Sequence, residues 1–262
     1  MSIYDFEVKD GDGNMVSMSQ YKDKVLLIVN SATKCGFTPQ YTELNEIYEE
    51  AYNRGITTVL HVGDIVDGNY PNRPENPRQQ FLHGFDEQVG YVADMYPYID
   101  GMTTYYILGS HDETHYKNGQ ATLNKWISSC RSDMEYLGQD YANININKIK
   151  IMLDHPGGGS SKAISYQLQK RIELLESGNK PKILVVGHYH KSYAFSYRNV
   201  QCIQIPSLCA KTQFQQKQGL SNAVGAYFLT IYSDSKGNIQ YFEPEEILFK
   251  PNDMWDEAGK DK

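Results

Sequence analysis

The spacing of apolar positions changes several times along this chain, and each change marks an element. Residues 25–29 read VLLIV, a continuous apolar run suited to a strand buried on both faces. Ahead of it, Tyr4–Val8 and Met15–Met18 flank a DGDGN turn, the pattern of a β-hairpin with Gly11 and Gly13 in the turn. Thr38 and Pro39 are an N-cap and first-turn pair, and Leu44, Ile47, Tyr48 and Ala51 follow at helical spacing until Gly55. Ile56–Val62 reads as the next strand. Phe81, Phe85, Val89 and Val92 predict a second helix, Thr103–Leu108 a strand and Leu123–Cys130 a helix. The alternation from Ile144 to Leu153 predicts one strand. Ser160 or Ser161 would cap a long helix carrying Ile164, Leu168, Ile172 and Leu175. Lys182–Val186, Tyr193–Tyr197, Val200–Ile205, Ala226–Tyr232 and Ile239–Pro244 read as strands.

Strands and helices alternate and then give way to strands in succession, which predicts an α/β sandwich of packed layers. Four of the strands run directly into short loops that contain Asp or His. Ligands in open α/β sheets gather at the carboxyl ends of strands, so this arrangement points to one composite site.

Composition narrows what that site can hold. The chain has 262 residues and a formal net charge of -7. A basic duplex-DNA-binding face is therefore excluded, whereas a phosphate ester held through bound cations is not. The four cysteines, Cys35, Cys130, Cys202 and Cys209, have neither disulfide-framework nor zinc-ribbon spacing. No stretch is apolar enough to span a membrane, and the opening residues carry no secretory signal, so a cytoplasmic location is expected.

The loops after the strands are GDIVDG at 63–68, GSHDE at 109–113, DHPGGG at 154–159 and GHYH at 187–190. Asp64, His111, His155, His188 and His190 supply the mix of hard oxygen and imidazole nitrogen that divalent transition metals prefer. Two such ions can activate water and clamp phosphoryl oxygens, while a histidine that binds no metal protonates the leaving oxygen. Taken in this order, the four motifs resemble the calcineurin-like metallophosphoesterases, from about Tyr41 to Phe249. The resemblance implies a β-sandwich flanked by helices that hydrolyses phosphate mono- or diesters. It implies one or two divalent ions (Mn, Fe or Zn), with Asp64 bridging, His155 and His188 on the second metal, His190 on the first, and His111 as the acid. Ser110 falls where that family has an Asn ligand. The family's opening D-x-H, which binds the first metal, is replaced here at the end of VLLIVN-SAT by Asn30 and Ala32. The substrate expected is a small phosphate ester or a nucleic-acid end.

The opening itself is similar to a second family, the glutathione peroxidases. The segment from YDFEVKDGDGN to TKCGFTPQY matches the start of that family until about Tyr48, and Cys35 falls at its peroxidatic position. A thiol beside Lys34 and a helix N-terminus has a lowered pKa, so a thiol peroxidase acting through Cys35 is an alternative function. A non-catalytic remnant that binds metal or phosphate is another. The organisation expected is a peroxidase-like segment at 1–40 fused to a phosphoesterase domain at 41–262. The peroxidase strand and helix would replace the first strand and helix of the sandwich. Gly157 and Gly158 are candidates for substrate contact, with the GGGSS loop cradling phosphate at the N-terminus of the helix that follows it. His115 is a further candidate for substrate contact. His61 is expected in the core and His83 on the surface. Asp67 is expected to cap its turn, and Asp112 and Asp154 to orient metal ligands.

Overall fold

The computed structural model describes residues 7–9, 15–17, 26–29, 40–72, 80, 82–119, 121–159, 161, 163–176 and 178–249. Strands β1 (Glu7–Lys9) and β2 (Met15–Ser17) form a separate antiparallel pair, at the position of the expected hairpin. β3 (Leu26–Val29) leads to α1 (Gln40–Asn53) and β4 (Thr58–Val62). Then come α2 (Phe85–Met95), β5 (Thr103–Leu108), α3 (Ser110–Lys117), α4 (Leu123–Cys130) and β6 (Met134–Gln139). β7 (Tyr141–Ile146), β8 (Ile149–Asp154), α5 (Tyr166–Leu174), β9 (Ile183–Val186), β10 (Tyr193–Tyr197) and β11 (Val200–Gln204) follow. The described chain closes with α6 (Gln213–Lys217), β12 (Gly225–Ser233) and β13 (Ile239–Leu248).

Two sheets carry the fold. One has six strands in the order β13-β12-β3-β4-β5-β6, and the other has five in the order β10-β11-β9-β8-β7. The strand from the peroxidase-like opening, β3, lies inside the larger sheet. It pairs antiparallel with β12 through Leu26, Leu27 and Ile28, and parallel with β4 through Leu27, Ile28 and Val29. A continuous apolar run suits such an interior place in the sheet order. The borrowed strand therefore completes the sandwich.

Three apolar clusters explain the layering. Leu60, Val62, Ile107, Leu153, Val185 and Leu229 fill the space between the sheets. On the outer face of the larger sheet, α1 buries Leu44, Ile47, Tyr48 and Ala51, the four positions that gave the helical spacing, together with residues of α2 and α4. On the outer face of the smaller sheet, α5 buries Leu168 and Ile172 against Met152, Leu184 and Val186.

Several sequence expectations are corrected. The single strand expected from Ile144 to Leu153 is the hairpin β7–β8, turning at Asn147 and Lys148, which have φ values of 48° and 65°. Those left-handed positions make the two-residue turn whose twist matches paired strands. The helix expected from Ser160 or Ser161 begins instead at Tyr166, with Ser165 at its N-cap. Strand β6 and helices α3 and α6 carry too little periodicity to be read from the sequence.

One buried charge fixes the end of α2. Arg131 donates to the carbonyls of Tyr96 and Pro97 at 2.7 and 2.8 Å, and forks onto Asp133 at 2.7 and 2.6 Å. A cation close to a helix C-terminus satisfies carbonyls that have no partner within the helix. Arg131→Met should cost on the order of 3 kcal/mol, since it strands those carbonyls and leaves Asp133 unpaired. The midpoint and slope of urea denaturation check this, and an unchanged midpoint would refute it.

Candidate metal centre

The strand ends β4, β5, β8 and β9 meet at one edge of the sandwich, and the four motifs follow them. The ligating atoms of Asp64, His155 and His188 all lie within 4.8 Å of one another. Their placement demands unusual backbone. Asp64, His188 and His190 have φ values of 57°, 73° and 53°, in the left-handed region that non-glycine residues seldom occupy. Such conformations persist where the surrounding structure enforces them, and they concentrate at functional sites.

The leading glycines of three of the four motifs, Gly63, Gly109 and Gly187, have a steric reason. A β-carbon at Gly63 would stand 2.5 Å from His155 Nδ1, and one at Gly187 would stand 2.5 Å from the Val62 carbonyl. At Gly109 it would stand 2.4 Å from Asp64 Oδ1 and 2.7 Å from His155 Cε1. Three backbones thus close around the Asp64–His155 pair at distances only glycine permits.

Hydrogen bonds fix the direction of each side chain. Asp64 Oδ1 accepts from the His111 N–H at 2.8 Å. Asp112, at the third position of α3, accepts from the Gly109 and Val66 N–H groups at 2.8 and 3.0 Å, pinning the GDIVDG loop to the helix start. Burial and the charge of Asp64 push the Asp112 carboxyl up to about 7. The buried His155 uses Nδ1 to donate to the Val62 carbonyl at 2.7 Å. Its Nε2 lies 3.0 Å from Asp64 Oδ2 without hydrogen-bond geometry. A neutral His155 in this pose would turn a bare lone pair toward a carboxylate. A proton or a cation has to stand between the two.

Electrostatics agree. Burial alone would lower the His155 pKa, but the Asp64 carboxylate outweighs it and holds the imidazole at about 9. Burial alone would raise Asp64, and the charges of His155 and His111 hold it below the usual carboxylate range. Burial and the neighbouring His155 lower His188. Burial pushes His190 down to about 4, so it is neutral at ordinary pH. A carboxylate on a strained turn, the lowered imidazoles of His188 and His190, and a His155 whose proton a cation would displace form a donor set that fits a divalent transition metal.

The remaining candidates divide. His111 donates from Nδ1 to the Asp67 carbonyl at 2.8 Å, so Nε2 is the nitrogen left for other chemistry, and Tyr70 packs edge-on against the ring. Ser110 opens α3 directly beside it. His188 Nε2 lies 2.8 Å from the Gly158 carbonyl, which it can serve as donor, leaving Nδ1 for a metal. His190 lies outside the tight trio and meets Asn222 and Gln215 through Nδ1.

His115 is a correction. It is fully buried, bonded to Gln88 at 3.1 Å and packed on Phe85, which removes it from substrate contact. His115 lies one turn further along the same face of α3, over Gln88 and Phe85, whereas His111 sits in the first turn beside Asp64. The phosphate cradle is also corrected, because the loop at 157–159 does not open a helix. Gly157 and Gly158 are exposed, and Gly157 borders a pocket of about 170 Å³ with Arg171 and Tyr189. Asp154 turns away from the trio and forks with Arg171. His61 is buried against Tyr96 in β4, and His83 is exposed. Cys35, Asn30 and Ala32 lie outside the described residues. Asn222 and Gln215 are site neighbours that sequence reasoning missed, since neither belongs to a motif.

Fold and site together define a helix-flanked β-sandwich with a metal-ligand cluster at its strand ends. The calcineurin-like phosphoesterase model matches residues 38–219, well over half of the chain. This chain belongs to the calcineurin-like phosphoesterase family. The glutathione peroxidase model matches residues 3–63, past Tyr48, so the two matches share the helix α1 and the strand β4. A glutathione peroxidase homolog of Neisseria meningitidis is 54% identical over 95 residues, 36% of this chain and 45% of that protein. A probable glutathione peroxidase of Arabidopsis thaliana is 54% identical over 56 residues, 21% of this chain and 34% of that protein. The chain thus spans less than half the length of these curated relatives. Among solved structures, an archaeal phosphodiesterase superposes with a TM-score of 0.51 at 15% identity, covering 86% of this chain and 100% of the other. Among the described residues no helix is long and apolar enough to cross a membrane.

Proposed function

We propose that this chain hydrolyses phosphate mono- or diesters with divalent metal held by Asp64, His155 and His188, and with His190 serving a second ion. The observation that carries this reading is the His155–Asp64 pair, two buried ligand atoms 3.0 Å apart that require a cation or a proton between them. Bound metal would supply Lewis acidity and a nucleophile near neutral pH. Asp64 is held by the His111 N–H and the glycine cradle, so it needs no rearrangement to bind. The Val62 carbonyl fixes the His155 tautomer with Nε2 toward the carboxylate, and such outer partners sustain ligand affinity. His111, anchored at Asp67, presents Nε2 for proton delivery to a leaving oxygen. Residues 1–40 serve as the peroxidase-like unit that supplies β3, and residues 41–262 carry the chemistry. The substrate class proposed is a small phosphate ester or a nucleic-acid end.

The test is turnover of p-nitrophenyl phosphate and bis-p-nitrophenyl phosphate with added Mn²⁺, repeated after chelation. Hydrolysis that needs metal is expected, and turnover unaffected by chelation would refute the reading.

Metal binding should also depend on pH in a defined direction. The His155 pKa is raised, from 6.5 to about 9. In the metal-free protein its charged form therefore stabilises the fold fully below 6.5, and that contribution is lost as pH rises through 9. A metal must displace the same proton. Its affinity should climb about tenfold per pH unit between roughly 7 and 9, with about one proton released per ion. Calorimetric titration in buffers of different ionisation enthalpy measures the protons released, and zero release would contradict the assignment.

A further inference from the structure

His190 meets two side-chain amides at one ring nitrogen. Its Nδ1 lies 3.1 Å from Asn222 Oδ1 and 2.9 Å from Gln215 Nε2. An oxygen there needs Nδ1 to donate, whereas an amide nitrogen needs it to accept. One nitrogen of a neutral imidazole cannot do both.

Neither amide can resolve the conflict by flipping. Asn222 Nδ2 donates to the Cys209 carbonyl at 3.0 Å, so Oδ1 must face the ring. Gln215 Oε1 accepts from the Thr212 N–H at 2.9 Å, so Nε2 must face it. Both anchors are backbone groups whose donor or acceptor identity is fixed, so each flip would set like against like at the anchor. The backbone holds the arrangement in place. The Ala223 N–H donates to the His190 carbonyl at 2.8 Å, and the Gln215 N–H donates to Thr212 Oγ1 at 3.2 Å.

Two states result, each with one amide satisfied. When Asn222 is satisfied, the proton sits on Nδ1 and Nε2 carries a lone pair, the form that binds metal. When Gln215 is satisfied, the proton sits on Nε2, which can then donate to an oxygen but cannot ligate. We propose that Asn222 and Gln215 select the tautomer of His190, and with it whether Nε2 offers a lone pair or a proton. Both are positioning residues acting through His190. The consequence for metal rests on the proposed function, because a bound ion would draw the ring into the Asn222 state.

The experiment is long-range proton–nitrogen correlation NMR on the metal-free, ¹⁵N-labelled full chain, with the His190 signals identified by their loss in His190→Asn. The wild-type ring should show nitrogen shifts averaged between the two tautomers. Gln215→Leu should move them to the Nδ1–H form and Asn222→Leu to the Nε2–H form, while Asn222→Asp, which keeps an acceptor, should hold the Nδ1–H form. Zinc affinity should fall about tenfold in Asn222→Leu and recover in Asn222→Asp. An identical His190 tautomer in all these proteins overturns the proposal, as does a measurable wild-type zinc affinity that Asn222→Leu leaves unchanged. If the tautomer follows the substitutions but the wild-type chain binds no zinc, the selection is upheld and the metal-centred function falls.

Discussion

Asp64→Asn is expected to lower metal-dependent phosphate-ester hydrolysis by on the order of 1,000-fold, about 4 kcal/mol of barrier. Asp64 is the only carboxylate in the tight trio. Replacing one oxygen with an amide removes the charge that balances a divalent cation. It also sets an N–H₂ group against either the His111 N–H or His155 Nε2, the two contacts the carboxylate now makes. The fold should survive, because the substitution is isosteric and the glycine cradle is unchanged. The check is steady-state turnover at saturating Mn²⁺, together with far-ultraviolet dichroism to confirm folding. A folded variant with wild-type turnover would remove Asp64 from the chemistry.

Gly109→Ala is expected to destabilise the fold and the metal centre together. The backbone at Gly109, with φ -116° and ψ -168°, is open to any residue, so the cost comes from contact alone. The added carbon would meet Asp64 Oδ1 at 2.4 Å, the Asp64 backbone nitrogen at 2.7 Å and His155 Cε1 at 2.7 Å. Neither side chain can retreat. Asp64 is held by His111, and His155 is held by Val62 and walled by Gly63 and Gly187. Overpacking of this kind costs about 3 kcal/mol, and the displaced ligands should weaken metal binding by about 10- to 100-fold. Gly90→Ala is the control. It lies in α2 with open space at its β-carbon, and it should be neutral or stabilising by up to about 1 kcal/mol. Paired urea and metal titrations separate the two variants. Equal behaviour would mean the strand ends are looser than their packing indicates.

Much of this site was readable before any coordinates, for a physical reason. Strand ends bring residues distant in sequence to one edge, so four short motifs after four apolar runs locate a composite site. The continuous run VLLIV likewise announced an interior strand, and β3 is one. What stayed hidden depends on geometry that no local pattern encodes. Asn147 and Lys148 turn a hairpin without glycine, so an alternating run read as one strand is two. His115 and His111 look equivalent in sequence, yet four residues along a helix put one in the core and the other at the strand ends. The frustrated contact at His190 depends on two amides from a loop and a short helix, oriented by the Cys209 carbonyl and the Thr212 N–H. The left-handed backbone of Asp64, His188 and His190 is imposed by the tertiary structure, and the sequence shows only the glycine beside two of them.

Everything proposed for the strand ends requires that the Asp64–His155 pair hold metal. The most direct measurement is elemental analysis of the chain after loading with Mn²⁺ and removal of the excess, beside His155→Ala treated identically. At least about one ion per wild-type chain is expected, with near-complete loss in the variant. A wild-type chain that retains no manganese, zinc or iron after loading would contradict it.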